Sequence, residues 1–378
     1  MNRRQFIQRS AAAVAALGVP ARIPCAHASV QDVFEHYIDE KTGAKIYRLT
    51  RDAGDNLIVY QTHPQWSLGQ EYLLFMSKRD GKDMRPHVLS MATGEARPIL
   101  AAPPQTFALS HHSNNLYYLH ERTLCVVDLV DAFNGQEQGT EIAVLPDYAT
   151  GLLGGISVDA EEAYVYVGVS FGADSQGLIA CAPSTKAYHW IMRAPFKVGH
   201  VQANPLVSGR VMYCCETGGD APQRVWTVDV HGMNHRPFFQ ESYGEWVTHE
   251  VWWGTDRAIF TVWPYDDERR AKPHGILRAD YNTGAVSVLS QYDAWHTHGS
   301  PDLQWAMGDD FDRNIWLVRV ADGERRLLTQ GHKTEAVKPH PHASFTPDGK
   351  AILLNSGRFG TGDLLLAEIP AWDTLPLA

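Results

Sequence analysis

The chain has 378 residues, of which 44% are hydrophobic and 20% are charged, with a formal net charge of −10 and a pI near 6.0. This is the composition of a globular protein that is long enough to bury a substantial core. The acidic balance and the lack of any Lys/Arg-rich run argue against nucleic acid as a partner.

Residues 1–28 have the features of an export signal. The opening MNRRQF resembles a twin-arginine signal, and the apolar run that follows is too short to span a bilayer. The A-H-A sequence at 26–28 fits a signal-peptidase site, with cleavage after Ala28. We therefore expect a periplasmic or otherwise exported protein with no membrane-spanning segment, in which residues 29–378 form a single domain.

One unit recurs through the mature chain with a period of 40–49 residues. It contains a short strand, a stronger apolar strand, a polar hairpin, a third strand and a fourth strand after an x-G-x turn. The units begin near residues 63, 106, 151, 200, 249, 298 and 338. Four short strands in a unit of this length are typical of a β-propeller, and no segment has sustained helical periodicity. The repeat therefore predicts an all-β fold, a seven-bladed β-propeller with four-stranded antiparallel blades.

The last unit is one strand short. The stretch GAKIYRLT at 43–50 belongs to no unit. We expect this N-terminal strand to complete the last blade, which would close the ring and remove an exposed sheet edge.

Histidines recur at the start of the units. Five of the seven units begin with one, namely His63, His200, His249, His298 and His342. The first strand of each blade lines the central channel, so we expect these side chains to converge, together with His340 on the same strand face as His342. Neutral imidazole is a common ligand for Mn, Fe or Zn. The pattern predicts a metal site at one mouth of the channel; a substrate-binding ring of imidazoles without metal is the alternative.

Three segments resemble the oligogalacturonate lyases, a family of seven-bladed propellers that degrade pectin. They are THEVW at 248–252, APQRVWTVDVHG at 221–232 and HPHASFTP at 340–347. The resemblance implies a manganese-type ion held by three histidines and one glutamine.

The family motifs assign the implied ligands residue by residue. His340 and His342 of the H-P-H element are two of the ligands, and His298 in Thr297-His298 is the third. Val337 occupies the position of the glutamine, so the fourth protein ligand is missing. Water could fill its place, or His332 could.

The resemblance also implies catalytic roles for His249, as the base, and for Arg224, which would bind the substrate carboxylate. In a β-elimination the base removes the C5 proton of a uronate and the oxygen at C4 departs, which leaves a 4,5-unsaturated product. A divalent cation and an arginine would stabilise the developing charge, and a neutral histidine suffices as base near neutral pH. We regard His200 and Trp252 as further candidates for substrate contact; core packing is the alternative for the tryptophan.

We therefore expect a lyase that depends on Mn²⁺ or another divalent cation and cleaves oligogalacturonides. The missing glutamine and the export signal leave open another uronate substrate, such as glucuronan, ulvan or a rhamnogalacturonan. A non-catalytic periplasmic propeller that binds partners is the alternative from another class, and a metal-dependent hydrolase would give saturated products. For Arg224 the structural alternative is a solvated strand-end charge, and for His249 it is a further metal ligand or a packed ring. The sequence leaves the oligomeric state open.

Overall fold

The computed structural model describes residues 30–51, 55–79, 81, 83–172, 175–217, 221–242, 244–333 and 340–378. The predicted signal segment lies outside these residues. Helices within them are short: α1 (Val30–Val33), α2 (Leu129–Phe133), α3 (Asp267–Arg270) and two 3₁₀ turns at Leu68–Gln70 and Trp372–Thr374. Among the described residues, no helix has the length and apolar character needed to cross a bilayer.

The strands form seven antiparallel sheets, which confirms the predicted seven-bladed β-propeller. The chain enters through β1 (Glu35–Ile38) and β2 (Lys45–Arg48). Blade 1 consists of β3 (Asn56–Ile58), β4 (Tyr72–Ser77), β5 (Arg85–Ser90) and β6 (Ala96–Pro98). Blade 2 consists of β7 (Thr106–Leu109), β8 (Asn115–His120), β9 (Thr123–Asp128) and β10 (Thr140–Val144). Blade 3 consists of β11 (Gly151–Val158), β12 (Val165–Ser170), β13 (Gln176–Ala182) and β14 (Ala187–Ala194).

The remaining blades follow the same order. Blade 4 consists of β15 (Val198–Ala203), β16 (Arg210–Cys215), β17 (Val225–Asp229) and β18 (Arg236–Pro237). Blade 5 consists of β19 (Val247–Trp252), β20 (Arg257–Val262), β21 (Gly275–Asp280) and β22 (Val286–Ser290). Blade 6 consists of β23 (Ala294–Gly299), β24 (Trp305–Asp310), β25 (Ile315–Arg319) and β26 (Arg325–Thr329). Blade 7 consists of β27 (Ser344–Phe345), β28 (Ala351–Ser356) and β29 (Asp363–Glu368), to which β2 and then β1 are added.

The hydrophobic cores lie between neighbouring blades. The central strands are apolar on both faces because each blade packs against one blade on either side. Leu317 of β25, for example, shares a buried cluster with Ile352 and Leu354 of β28. This packing fixes the inner strands around the channel and so determines which side chains meet at its two mouths.

The N-terminal strand closes the ring as predicted. In the register of β2 with β29, Ile46 pairs with Ala367. The closure is reinforced by an ion pair between Arg48 and Asp363, 2.9 Å between Nη2 and Oδ2. The extra outer strand β1 was not predicted, because three of its four residues are exposed and it carries no apolar pattern.

The inner strands begin slightly earlier than the repeat predicts. In blades 4, 5 and 6 they begin at Val198, Val247 and Ala294. Each of these three strands also contains a β-bulge, a point where two of its residues lie opposite one residue of the next strand. The bulges decide which histidines face the channel mouth.

Candidate metal and substrate site

Three histidines near the starts of inner strands have left-handed backbone: His200 and His249 at the bulges of blades 4 and 5, and His342 just before β27. The φ angles are +44° for His200, +56° for His249 and +41° for His342. Positive φ is uncommon for residues other than glycine, and such strained positions cluster at functional sites. In blade 3 the corresponding bulge contains Gly154, where an added Cβ would lie 3.0 Å from the Cα of Gly199. These backbone positions direct the three imidazoles to the mouth at which the chain enters the inner strands.

A group of three imidazoles at this mouth could hold a metal ion. His296, His340 and His342 each contribute a ring nitrogen, and these atoms lie within 4.8 Å of one another. The ring of His296 lies 4.5 Å from that of His342 and 5.5 Å from that of His340, measured between centroids. The Nδ1 atom of His296 is bonded to the carboxylate of Asp309, which leaves its Nε2 atom for a ligand.

Two imidazoles of this group, those of His340 and His342, are in the neutral form that binds metal ions. Burial, followed by the neighbouring imidazoles, lowers the pKa of His342 to about 2. Burial and the neighbouring His296 also lower the pKa of His340. Neutral rings at pH 7 present a lone pair to a cation without first losing a proton.

Two of the three predicted ligands, His340 and His342, are brought together, but His296 takes the place assigned to His298. The sequence repeat predicted that His298 is the counterpart of His249 in the next blade, because the two residues are 49 residues apart. The strand register differs: the bulge follows Thr248 in blade 5 and Ala294 in blade 6.

That register separates His298 from the mouth. Equivalent positions in these two blades are 46 residues apart, so His298 corresponds to Trp252 near the far end of the inner strand. Its Nδ1 lies 3.4 Å from the backbone N–H nitrogen of Phe345. The prediction that His298 is a metal ligand is therefore corrected: this residue lies toward the opposite mouth of the channel.

The described residues do not place a fourth protein ligand beside the three imidazoles at either position that the sequence suggested. Val337, where the family motif places glutamine, lies outside them. His332, the suggested replacement, is buried in blade 7, with Nδ1 3.0 Å from Oγ of Ser356 and Nε2 3.1 Å from Oγ1 of Thr329. It does not belong to the three-imidazole group.

His249 lies directly beside the three-imidazole group formed by His296, His340 and His342. Its ring centroid is 4.2 Å from that of His296. Its Nδ1 is 3.4 Å from Oγ1 of Thr261, whose hydroxyl donates to the carbonyl of Trp295. The hydroxyl oxygen can therefore accept from Nδ1–H, which leaves the Nε2 lone pair of His249 free. Burial, followed by the neighbouring imidazole of His296, holds the pKa of His249 well below its usual range, so this ring can accept a proton.

Arg224 is a buried, ion-paired residue rather than a solvated strand-end charge. It immediately precedes β17, and only 3% of its surface is exposed. Its Nε donates to Oε2 of Glu250 at 3.0 Å, and its Nη2 lies 3.9 Å from Oε2 of Glu216. Burial opposes ionisation of Glu250, but the charges of Arg224 and His200 outweigh it and lower the pKa of that carboxyl below its usual range.

His200 and Tyr60 join these two parts of the site. The Nδ1 of His200 lies 2.9 Å from Oε1 of Glu250. The ring of Tyr60 lies 5.4 Å from that of His200 and 4.9 Å from that of His342. Burial, and then the charge of Glu250, raises the pKa of Tyr60, so its phenol stays neutral. Sequence reasoning missed Tyr60, which follows the short strand β3 and precedes the predicted unit start.

Trp252 does not lie at this mouth, and its predicted substrate contact is corrected. It ends β19, its Nε1 donates to the carbonyl of Gln202 at 3.2 Å, and its ring packs 5.2 Å from that of Phe238. Trp252 thus belongs mainly to the core between blades. It borders, with His298 and Trp253, a cavity of about 520 Å³ at the opposite mouth.

The fold and the site define a seven-bladed β-propeller with a three-imidazole centre and a buried arginine at one mouth of its channel. No family model matches the chain. It is 26% identical over 194 residues to an oligogalacturonide lyase of Pectobacterium atrosepticum, and 26% identical over 200 residues to an oligogalacturonate lyase of Dickeya dadantii. Each match covers 46% of this chain, and the chain spans about half the length, 50%, of these curated relatives.

Solved structures extend the similarity to the whole fold. An oligogalacturonate lyase of Vibrio parahaemolyticus superposes with a TM-score of 0.77 at 19% identity, over 89% of this chain and 97% of that one. An oligogalacturonate lyase in complex with manganese gives 0.78 at 22% identity, over 90% and 96%. At these identities the structures show the fold alone. Together with the sequence matches they confirm the predicted resemblance: the chain is similar to oligogalacturonate lyases over part of its sequence and in its fold.

Proposed function

We propose that the protein is a metal-dependent lyase that cleaves oligogalacturonides by β-elimination and releases 4,5-unsaturated uronates. The observation that carries the proposal is the convergence of His296, His340 and His342 beside His249, with Arg224 in the same mouth. The partial sequence matches to lyases of pectin fragments support the substrate class.

The three-imidazole group fits a divalent cation. Its rings converge, those of His340 and His342 are neutral, and the ring of His296 is oriented by Asp309. The neighbouring structure named as a manganese complex makes Mn²⁺ the first candidate. A cation held by His296, His340 and His342 would supply positive charge to the substrate carboxylate.

The protein's own groups account for binding and proton removal. Arg224, kept charged and fixed by Glu250, offers a guanidinium to a uronate carboxylate. His249 is neutral and has Nε2 free, so it can take the C5 proton. The neutral phenol of Tyr60 lies between the two halves of the mouth, where it limits the space for water and offers a hydroxyl to a sugar.

A uronide screen combined with metal analysis tests the proposal. We expect the metal-loaded protein to convert oligogalacturonides into products with the ultraviolet absorbance of an unsaturated uronate. Greater activity on glucuronan, ulvan or rhamnogalacturonan fragments would redirect the substrate but keep the lyase chemistry. Saturated products would show a hydrolase. No bound metal and no activity on any uronide would support the non-catalytic alternative.

We further propose that the lyase acts outside the cytoplasm, on the basis of the twin-arginine-like opening and the A-H-A sequence at 26–28. Cell fractionation of the full-length chain tests this. A mature protein that begins at Ser29 in the periplasmic fraction is expected, and an uncleaved cytoplasmic chain would contradict it.

A further inference from the structure

Two carboxylates bracket the imidazole of His200. Its Nδ1 lies 2.9 Å from Oε1 of Glu250, and its Nε2 lies 3.5 Å from Oε2 of Glu216. A neutral imidazole has a single N–H, whereas both of these neighbours are acceptors. Both ring nitrogens of His200 therefore face acceptors, which is the geometry of a proton donor.

Two carboxylates and one guanidinium lie close to His200. Glu250 is fully buried and also pairs with Arg224; Glu216 lies 3.9 Å from Nη2 of Arg224 and accepts from Sγ of Cys214 at 3.3 Å. Tyr60 faces the ring as a neutral phenol, and the histidines that interact with it, His63 and His249, are also neutral. His200 thus faces two carboxylates and lies near a single guanidinium, an arrangement that suits a proton donor.

His200 also lies where a proton donor could reach the reaction. It occupies the bulge position in blade 4 that His249 occupies in blade 5, and the Tyr60 ring contacts both His200 and His342. In a galacturonide, the hydrogen on C5 and the oxygen on C4 lie on opposite faces of the sugar ring. The base and the proton donor must then be two different groups that approach from two sides.

We propose that His200 donates a proton to the leaving-group oxygen at C4, an assignment that rests on the proposed lyase function. In this step the C5–H bond breaks and its proton passes to Nε2 of His249. The C4–O bond breaks as the C4–C5 double bond forms, and the departing oxygen takes a proton from Nε2 of His200. Solvent returns a proton to His200 and removes one from His249 before the next turnover, so no further reactant is needed.

Two substrates that differ only in the leaving group test this assignment. One is a natural oligogalacturonide, whose alkoxide leaving group needs a proton. The other is a galacturonide with a 4-nitrophenyl group on the C4 oxygen, which departs without one. In the metal-loaded protein, we expect His200→Gln to lower turnover of the natural substrate by about 10²–10⁴-fold, the usual contribution of a general acid, and that of the aryl substrate by less than about tenfold. His249→Ala should slow both substrates, since both need the C5 proton removed.

Control variants separate this role from a structural one. His120→Ala, on an exposed residue of blade 2, should leave both reactions unchanged. Glu216→Gln keeps the shape of a side chain that is 27% exposed and should slow the natural substrate selectively, though less than His200→Gln does. Equal losses on both substrates in His200→Gln, or no loss on either, would overturn the assignment to His200 while the lyase function stands. A wild-type protein inactive on both would overturn the lyase proposal itself.

Discussion

The Nδ1 atom of His296 lies 2.9 Å from Oδ2 of Asp309, and Oδ1 of the same carboxylate accepts the backbone N–H of His296. Asp309 thus fixes both the backbone and the tautomer of this histidine. The remaining nitrogen, Nε2, is available to bind a cation together with ring nitrogens of His340 and His342. Carboxylates in this position orient metal-binding imidazoles and increase their basicity.

Asp309→Asn should weaken binding of Mn²⁺ by about 10–100-fold, because the ring loses its anionic partner while the side chain keeps its size. Competition with a fluorescent chelator measures the affinity. Asp312→Asn, on an exposed aspartate in the following turn, is the matched control and should bind as the wild type does. Equal affinities for all three proteins would show that His296 is not a ligand.

The register of blade 6 predicts opposite results for two histidines on one strand. His296→Ala should abolish bound metal and lyase activity, since two imidazoles hold a divalent ion too weakly. His298→Ala should retain the metal, because its ring lies toward the opposite mouth. Metal content of the purified variants, measured by mass spectrometry, decides the question. The reverse pattern would restore the assignment made from the sequence repeat.

His249→Ala should leave the metal content near normal and lower turnover by about 10²–10⁴-fold, the usual contribution of a general base. The expectation follows from its place beside the three-imidazole group but outside it. Metal analysis and steady-state kinetics on one preparation provide both readouts. Loss of the metal would instead identify His249 as the ligand that replaces the family's glutamine.

Arg224→Lys should raise KM and lower kcat for oligogalacturonides, because an ammonium cannot bind Glu250 and a substrate carboxylate in the forked geometry of a guanidinium. The lysine variant is preferable to alanine, which would leave the charge of Glu250 buried without a partner and cost about 3–5 kcal/mol of stability. Initial rates over a range of substrate concentrations separate the two constants. An unchanged KM would place the substrate carboxylate elsewhere.

His332 should make the protein less stable in mild acid. Burial lowers its pKa to about 3 in the folded state, below the ordinary 6.5, so protonation favours the unfolded chain. Its contribution is complete above pH 6.5 and is lost as the pH falls toward 3, with a slope of up to about 1.4 kcal/mol per pH unit. Metal-free His332→Gln should show a shallower decline in melting temperature over this range than metal-free wild type. Parallel curves would contradict the expected burial.

The architecture could be predicted from the sequence because the apolar strands recur at a regular spacing, once in each blade. It predicted the facing of the histidines less well, because that depends on where each inner strand bulges. The bulges of blades 5 and 6 lie 46 residues apart, so a count of 49 residues selected His298 where the backbone presents His296. Glu250 stood inside the quoted T-H-E-x-W motif, but its two partners, Arg224 and His200, could only be recognised in three dimensions.

The closure of blade 7 also sets an order of events during synthesis. Arg48 and Asp363 pair across 315 residues, so β2 leaves the ribosome early and must wait for nearly the whole chain before its partner strand exists. His340 and His342 belong to the same late segment, whereas His200, His249 and Arg224 precede it. The proposed metal site is therefore completed last, and a bound ion would indicate that translation has finished and the ring has closed.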